Sequence, residues 1–144
     1  MRGFGFAALL ILMLSGCVQT QYRPSYFKGG YREVQIAEDR FELAVYGNAY
    51  TSKPRIRDYF LYRAAELTLA HDRSYFLLYG DKSSKRPISI AGFIPTRDNL
   101  VAYGISGTKF GNTGVVKILD SKPEVEPIYY DAQLLVDQLK DRVR

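Results

Sequence analysis

The chain has 144 residues, a formal net charge of +5, 47% hydrophobic side chains and 14% aromatics. That length suits one domain with its own apolar core, and the mild positive balance lacks the dense Lys/Arg block of a nucleic-acid binder. One cysteine and one histidine exclude a disulfide framework and the usual zinc ligand sets, so the fold rests on apolar burial, with no metal and no cofactor expected.

Met1 and Arg2 precede an apolar run over residues 4–14 that ends in the small residues Ser15 and Gly16. The order is that of a signal peptide, and the run falls short of the roughly 20 apolar residues a spanning helix needs. Leu14-Ser15-Gly16-Cys17 resembles the lipobox of bacterial lipoproteins. The resemblance implies cleavage before Cys17 and acylation of its thiol, so residues 1–16 are leader. Membrane lipid, reached through acylated Cys17, is then the first partner. Two or three acyl chains hold a protein on a bilayer, where one chain binds marginally. Val18 stands where inner-membrane retention would favour Asp, and the resemblance to lipoproteins of two-membrane bacteria then implies the inner leaflet of the outer membrane, facing the periplasm.

Residues 17–31 read as a tether: Pro24 and Gly29-Gly30 break it, and no period of helix or strand runs through it. Tyr22, Tyr26 and Phe27 among Arg23 and Lys28 form a mixture suited to the headgroup layer of a membrane; the plainer and leading reading is a loosely ordered spacer. Residues 32–144 form the single domain.

Within it, residues 33–36 and 41–46 predict two strands. In the second, Phe41, Leu43 and Val45 alternate with Glu42, Ala44 and Tyr46. Residues 53–71 predict the main helix, with Ser52 or Thr51 as N-cap and Pro54 in the first turn. Ile56, Phe60, Ala64 and Leu67 form one apolar stripe, and Leu61, Ala65 and Leu69 a second on the other side. Such a helix requires cover on both faces.

Residues 75–79 predict a central strand, and residues 88–94, 100–106 and 115–119 predict three more. Residues 81–87 read as a basic, serine-containing loop and residues 107–114 as a glycine-dense turn. Residues 131–143 predict a second helix capped by Asp131, with Ala132, Leu135, Leu139 and Val143 on one face. The class expected is α+β: a mostly antiparallel sheet of about five to six strands, one long helix and a C-terminal helix.

Motifs with chemistry are few. No serine lies in a G-x-S-x-G setting, and His71 reads as a helix end, where an imidazolium complements the dipole. Gly104, Gly107, Gly111 and Gly114 match no phosphate-binding fingerprint. Arg63 and Glu66, three apart on the helix, predict an ion pair; the alternative is that Glu66 serves an envelope hydrolase acting on cell-wall or lipid material through carboxylates. Lys53, Arg55 and Arg57 crowd a helix start, where free N–H groups and the dipole favour a bound anion such as a lipid phosphate. The plainer reading is solvated charge.

Residues 30–31 through Phe41 to Gly47-Asn48, then Tyr50-Thr51-Ser52, and Tyr62-Arg63-Ala64-Ala65-Glu66-Leu67-Thr68-Leu69 resemble a family of small uncharacterised proteobacterial lipoproteins. The resemblance implies the lipoprotein class and carries no activity. A non-enzymatic envelope domain that binds or supports another envelope component, or anionic head groups, is therefore the leading expectation, with no nucleic-acid partner.

Overall fold

The computed structural model describes residues 21–24, 29–95, 100–126 and 128–143. The leader and Cys17 lie outside these residues, as do Tyr26, Phe27 and Lys28. Strand β1 (Gly30–Ala37) and strand β2 (Arg40–Tyr46) form an antiparallel hairpin around Glu38 and Asp39. The alternation in β2 holds in part: Phe41, Leu43 and Val45 are buried while Glu42 and Tyr46 are exposed, but Ala44, expected on the outer side, is buried as well. Strand β1 starts earlier than the sequence predicts, because the Gly30–Tyr46 and Tyr31–Val45 pairs extend the ladder into the segment read as tether.

Helix α1 (Lys53–Ala70) follows. The Ser52 Oγ accepts the Arg55 N–H at 3.4 Å, and Pro54 occupies the first turn, where its missing N–H costs nothing. The helix stops where Asp72 takes φ 55° and the N–H groups of His71, Asp72 and Arg73 close on the carbonyls of Thr68 and Leu69. His71 sits at this terminus with its ring 4.7 Å from that of Phe41.

Strand β3 (Tyr75–Pro95) and strand β4 (Leu100–Leu119) are long and pair antiparallel from Tyr75–Leu119 out to Pro95–Leu100. Both segments expected as loops, residues 81–87 and 107–114, are strand, so four predicted strands merge into two. The glycine-dense stretch that looked like a turn is a ladder in which Gly111 and Gly114 lie opposite backbone. A Cβ on Gly111 would meet the Ser84 Oγ at 2.7 Å, and one on Gly114 would meet the Phe60 ring at 3.2 Å and the Tyr79 carbonyl at 3.3 Å. These glycines admit close neighbours. One irregularity interrupts β3 between Tyr79 and Lys82, where Gly80 takes φ 62°, a bulge in the sense of one extra residue.

Strand β5 (Tyr130–Asp131) pairs with the start of β3 and leads into helix α2 (Ala132–Val143). The Asp131 Oδ1 accepts the Leu134 N–H at 2.9 Å, the cap the sequence predicts. The sheet order is β1-β2-β4-β3-β5, antiparallel at every junction.

Helix α1 lies on one face of this sheet, and α2 packs chiefly on α1. Both sides of α1 are covered, as its two apolar stripes require. Phe60, Ala64 and Ala65 are fully buried; with Leu43, Val45, Phe76, Val116, Ala132 and Leu139 they form one continuous core. Each large side chain in it contributes about 1.5–3 kcal/mol by leaving water. The Arg142 Nη2 adds an ion pair to the Asp58 Oδ2 at 2.7 Å, tying α2 to the start of α1. The architecture is the expected α+β class, with five strands.

Beyond the core the hairpin continues alone. Strand β2 pairs with β4 only as far as Gly111, and β5 reaches β3 only at Tyr75 and Phe76. Among the described residues, β3 from Lys85 outward and β4 before Gly111 pair only with each other. At about 3.3 Å per residue, this two-stranded arm is about 35 Å long, and its base lies against the body where Gly107 meets Ala49.

Candidate functional site

Two places in the body gather charged side chains, one of them together with aromatic rings. The first lies where β1 crosses α1. Arg63, on the third turn of α1, donates from Nε and Nη2 to the two carboxylate oxygens of Glu33 on β1, each at 2.8 Å. Its Nη1 donates to the Glu66 Oε2 at 3.0 Å, and its guanidinium lies 4.4 Å from the centre of the Tyr31 ring. A planar five-donor fork suits this double carboxylate with aromatic stacking, whereas an ammonium would serve one oxygen at a time.

Tyr22 completes the cluster. Its hydroxyl donates to the same Glu66 Oε2. Its ring packs against Tyr31 and Tyr62 at 5.1 Å and Tyr59 at 5.7 Å between centroids. The Tyr31 N–H donates to the Arg23 carbonyl, and a parallel bridge joins Pro24 to Tyr31. A Cβ on Gly30, at φ 128°, would stand 2.4 Å from the Arg23 carbonyl oxygen, so only glycine allows the crossing. The segment read as a free tether is thus stitched to the domain by its residues 22–24. Tyr22, read from the sequence as part of a loose spacer with a head-group role as the alternative, is instead a clasp on α1.

Burial, followed by the hydrogen bond and negative charge of Glu66, raises the Tyr22 phenol well above its ordinary value. Burial also raises Tyr31. For Arg63, burial opposes the charge, but the hydrogen bonds and charge of Glu33 overcome it and hold the guanidinium protonated above its ordinary range. The cluster is closed: Glu66, the candidate hydrolytic acid, spends one oxygen on both Tyr22 and Arg63. The Arg63–Glu66 pair foreseen from spacing is present, and Glu33 and Tyr22 are additions that spacing could not supply.

The second place is a hollow of about 420 Å³ between the start of α1 and the base of the arm, lined by Lys53, Arg57, Asp81, Ser83 and Asn112 among others. The Asn112 side chain is buried, and its Oδ1 has no hydrogen-bond partner. The three cations expected here divide. Lys53 and Arg57 line the hollow, while Arg55 turns back along α1, its Nε donating to the Tyr59 hydroxyl at 2.8 Å and its guanidinium 5.3 Å from that ring centre. Asp81 brings a carboxylate into the same space, which weakens its field for an anion.

Among the described residues, no three His, Cys, Asp or Glu side chains converge as a metal site, and no helix is long and apolar enough to cross a membrane. No protein-family model, curated protein or solved structure matches the chain.

Proposed function

We propose that this chain is a cell-envelope lipoprotein, held on the inner leaflet of the outer membrane through acylated Cys17 and facing the periplasm. Its domain is a non-enzymatic binding or structural module. The leader, the Leu14-Ser15-Gly16-Cys17 junction and the likeness to small proteobacterial lipoproteins motivate the anchor. The Tyr22 clasp is the structural observation that supports it best.

The clasp converts a lipid on Cys17 into a position for the whole domain. The segment from Cys17 to Tyr22 is five residues long, and at about 3.5 Å per residue it spans no more than about 18 Å. With Tyr22 fixed to Glu66 and packed among Tyr31, Tyr59 and Tyr62, an acylated Cys17 keeps the body close against the bilayer. A protein that needed only to be near the membrane would be served by a loose linker. The engagement of Glu66 by Tyr22 and Arg63 favours the binding or structural role over carboxylate hydrolysis.

Replacing Cys17 by Ser tests the anchor. The expected result is loss of the acyl mass and of radiolabelled fatty acid, with the leader retained and the uncleaved precursor found in the inner-membrane fraction instead of the outer-membrane fraction. A variant whose mass, labelling and fractionation match the parent would sink the reading.

A further inference from the structure

The hollow between the start of α1 and the base of the arm is where, among the described residues, a buried side-chain oxygen is left over. Val45, Asn112 and Ser83 are paired across β2, β4 and β3, and directly opposed residues of antiparallel strands share a face. Val45 belongs to the core beneath α1, so Asn112 and Ser83 face α1 as well, and both line the hollow. Asn112 is 3% exposed, and its Oδ1 accepts no hydrogen bond. A buried carbonyl oxygen is costly to leave without a donor. This one borders a space of about 420 Å³, a size usual for small-molecule sites.

The bulge in β3 adds a carboxylate. Gly80 and Asp81 form the unpaired step between the Tyr79–Val115 and Lys82–Thr113 pairs. A Cβ on Gly114 would meet the Phe60 ring at 3.2 Å and the Asp81 Cα at 3.3 Å, which puts Asp81 on the α1 side of the sheet, where it lines the same hollow. Re-aiming a side chain in this way is a common use of a bulge. From α1 come Lys53 and Arg57, both exposed. Among the described residues, none of Lys53, Arg57 and Asp81 forms an ion pair. Two cations and a carboxylate thus share one hollow without pairing with one another.

A simple anion would satisfy the cations and leave both Asp81 and the Asn112 Oδ1 facing negative charge. A simple cation would do the reverse. The lining calls for a ligand with a charged donor at one end and an anion at the other. A primary ammonium carries three N–H groups, and the sheet side offers three acceptors in the Asp81 carboxylate, the Ser83 hydroxyl and the Asn112 Oδ1. A lysine beside an arginine suits a phosphate, with several anionic oxygens, better than a carboxylate, which one guanidinium fork would serve.

We propose that this hollow binds a phosphoethanolamine group, its ammonium held by Asp81, Ser83 and Asn112 and its phosphate by Lys53 and Arg57. Asn112 is buried and the two cations are exposed, so the ammonium enters first and the phosphate stays at the mouth. Anything esterified to that phosphate remains outside the protein. The pocket stands on its own geometry; the anchoring reading bears only on whether the group is a lipid headgroup or a free phosphomonoester.

The test uses the full-length chain carrying Cys17→Ser in detergent micelles, so that acylation plays no part. Calorimetric titration with O-phosphoethanolamine is expected to show saturable binding, and the Asn112 side-chain amide resonances are expected to shift in step with it. Phosphocholine, whose methylated nitrogen has no N–H to donate, should bind at least roughly tenfold more weakly, as should ethanolamine, inorganic phosphate and glycine. Asp81→Asn, Lys53→Ala and Arg57→Ala, all at exposed positions, should each weaken phosphoethanolamine to a similar degree while leaving the thermal melt unchanged. Displacement of the soluble compound by dihexanoyl phosphatidylethanolamine would identify a lipid headgroup as the bound form, and binding of the monoester alone would identify a free phosphomonoester; the site stands in either case. Equal binding of phosphocholine or glycine, an affinity unaltered by Asp81→Asn, or a titration with neither heat nor an Asn112 shift would each overturn the proposal. Failure of Cys17 acylation in cells would leave this result untouched, and failure here would leave the acyl label in place.

Discussion

At the level of single residues, the cluster around Arg63 carries the clearest consequences. Arg63→Ala leaves the half-buried Glu33 and Glu66 without their shared cation, and partial exposure keeps the expected loss to about 2 kcal/mol. Urea denaturation reads it, and Arg63→Lys is expected to recover less than half, since an ammonium cannot hold both Glu33 oxygens. Tyr22→Phe keeps the ring packing and removes one hydrogen bond to a charged acceptor, for about 1–2 kcal/mol. This contribution has a pH sign. Folding raises the Tyr22 phenol above its ordinary value of 10.0, so its share of stability is complete below about pH 10 and is lost as pH climbs beyond that. Parent and Tyr22→Phe denaturation midpoints should therefore converge in strongly alkaline buffer and stay apart between pH 7 and 9; a constant gap would remove the account. The helical i, i+3 spacing made Arg63–Glu66 legible in the sequence. Glu33 lies 30 residues from Arg63, and Tyr22 sits in a segment without period, so nothing local marked either as a partner.

Among the elements, α1 and the two-strand unit β1–β2 were legible because each repeats its apolar residues at one period and ends on recognisable caps or turns. The long hairpin was not. Its serines, lysines and glycines resemble loop composition, and only pairing along its whole length reveals two strands where four were expected. Gly47 is a sharper case of a residue whose role is visible only in three dimensions. A Cβ there would stand 2.8 Å from the Ile56 Cδ1, 3.0 Å from the Thr51 Cβ and 3.3 Å from the Phe110 carbonyl, and the Gly47 N–H already donates to that carbonyl. Gly47→Ala must push α1 away from the β2–β4 edge, at a cost of about 1–3 kcal/mol, which a thermal melt would register. Phe60→Ala at the centre of the same packing is expected to cost about 3–5 kcal/mol.

For the molecule as a whole, the buried core among the described residues lies in the body, and the arm meets the body at its base, where Gly107 stands beside Ala49. The buried core draws on β2, α1, α2, Phe76, and on Val116 and Ile118 of β4, so replacing residues 87–108 by an Asn-Gly turn is expected to leave the denaturation midpoint of the body within about 0.5 kcal/mol of the parent. A large loss would mean that the arm supports the core. The division also separates what a sequence can convey at this scale: burial pattern reports the body, while a hairpin whose two strands pair chiefly with each other leaves no such record. The extra residue at Gly80 and Asp81 links the two parts. Before it, β3 and β4 pair Tyr79 with Val115; after it, Lys82 meets Thr113. The inserted residue exchanges the parity of β3 and leaves that of β4 intact: before it the even-numbered Phe76 and Leu78 stand opposite Ile118 and Val116, and after it the odd-numbered Ser83 and Lys85 stand opposite Asn112 and Phe110. Deleting one residue of the pair would close the bulge and keep Lys82 opposite Thr113 and Ile88 opposite Gly107, so the arm's ladder would survive while the local kink that aims it would be lost.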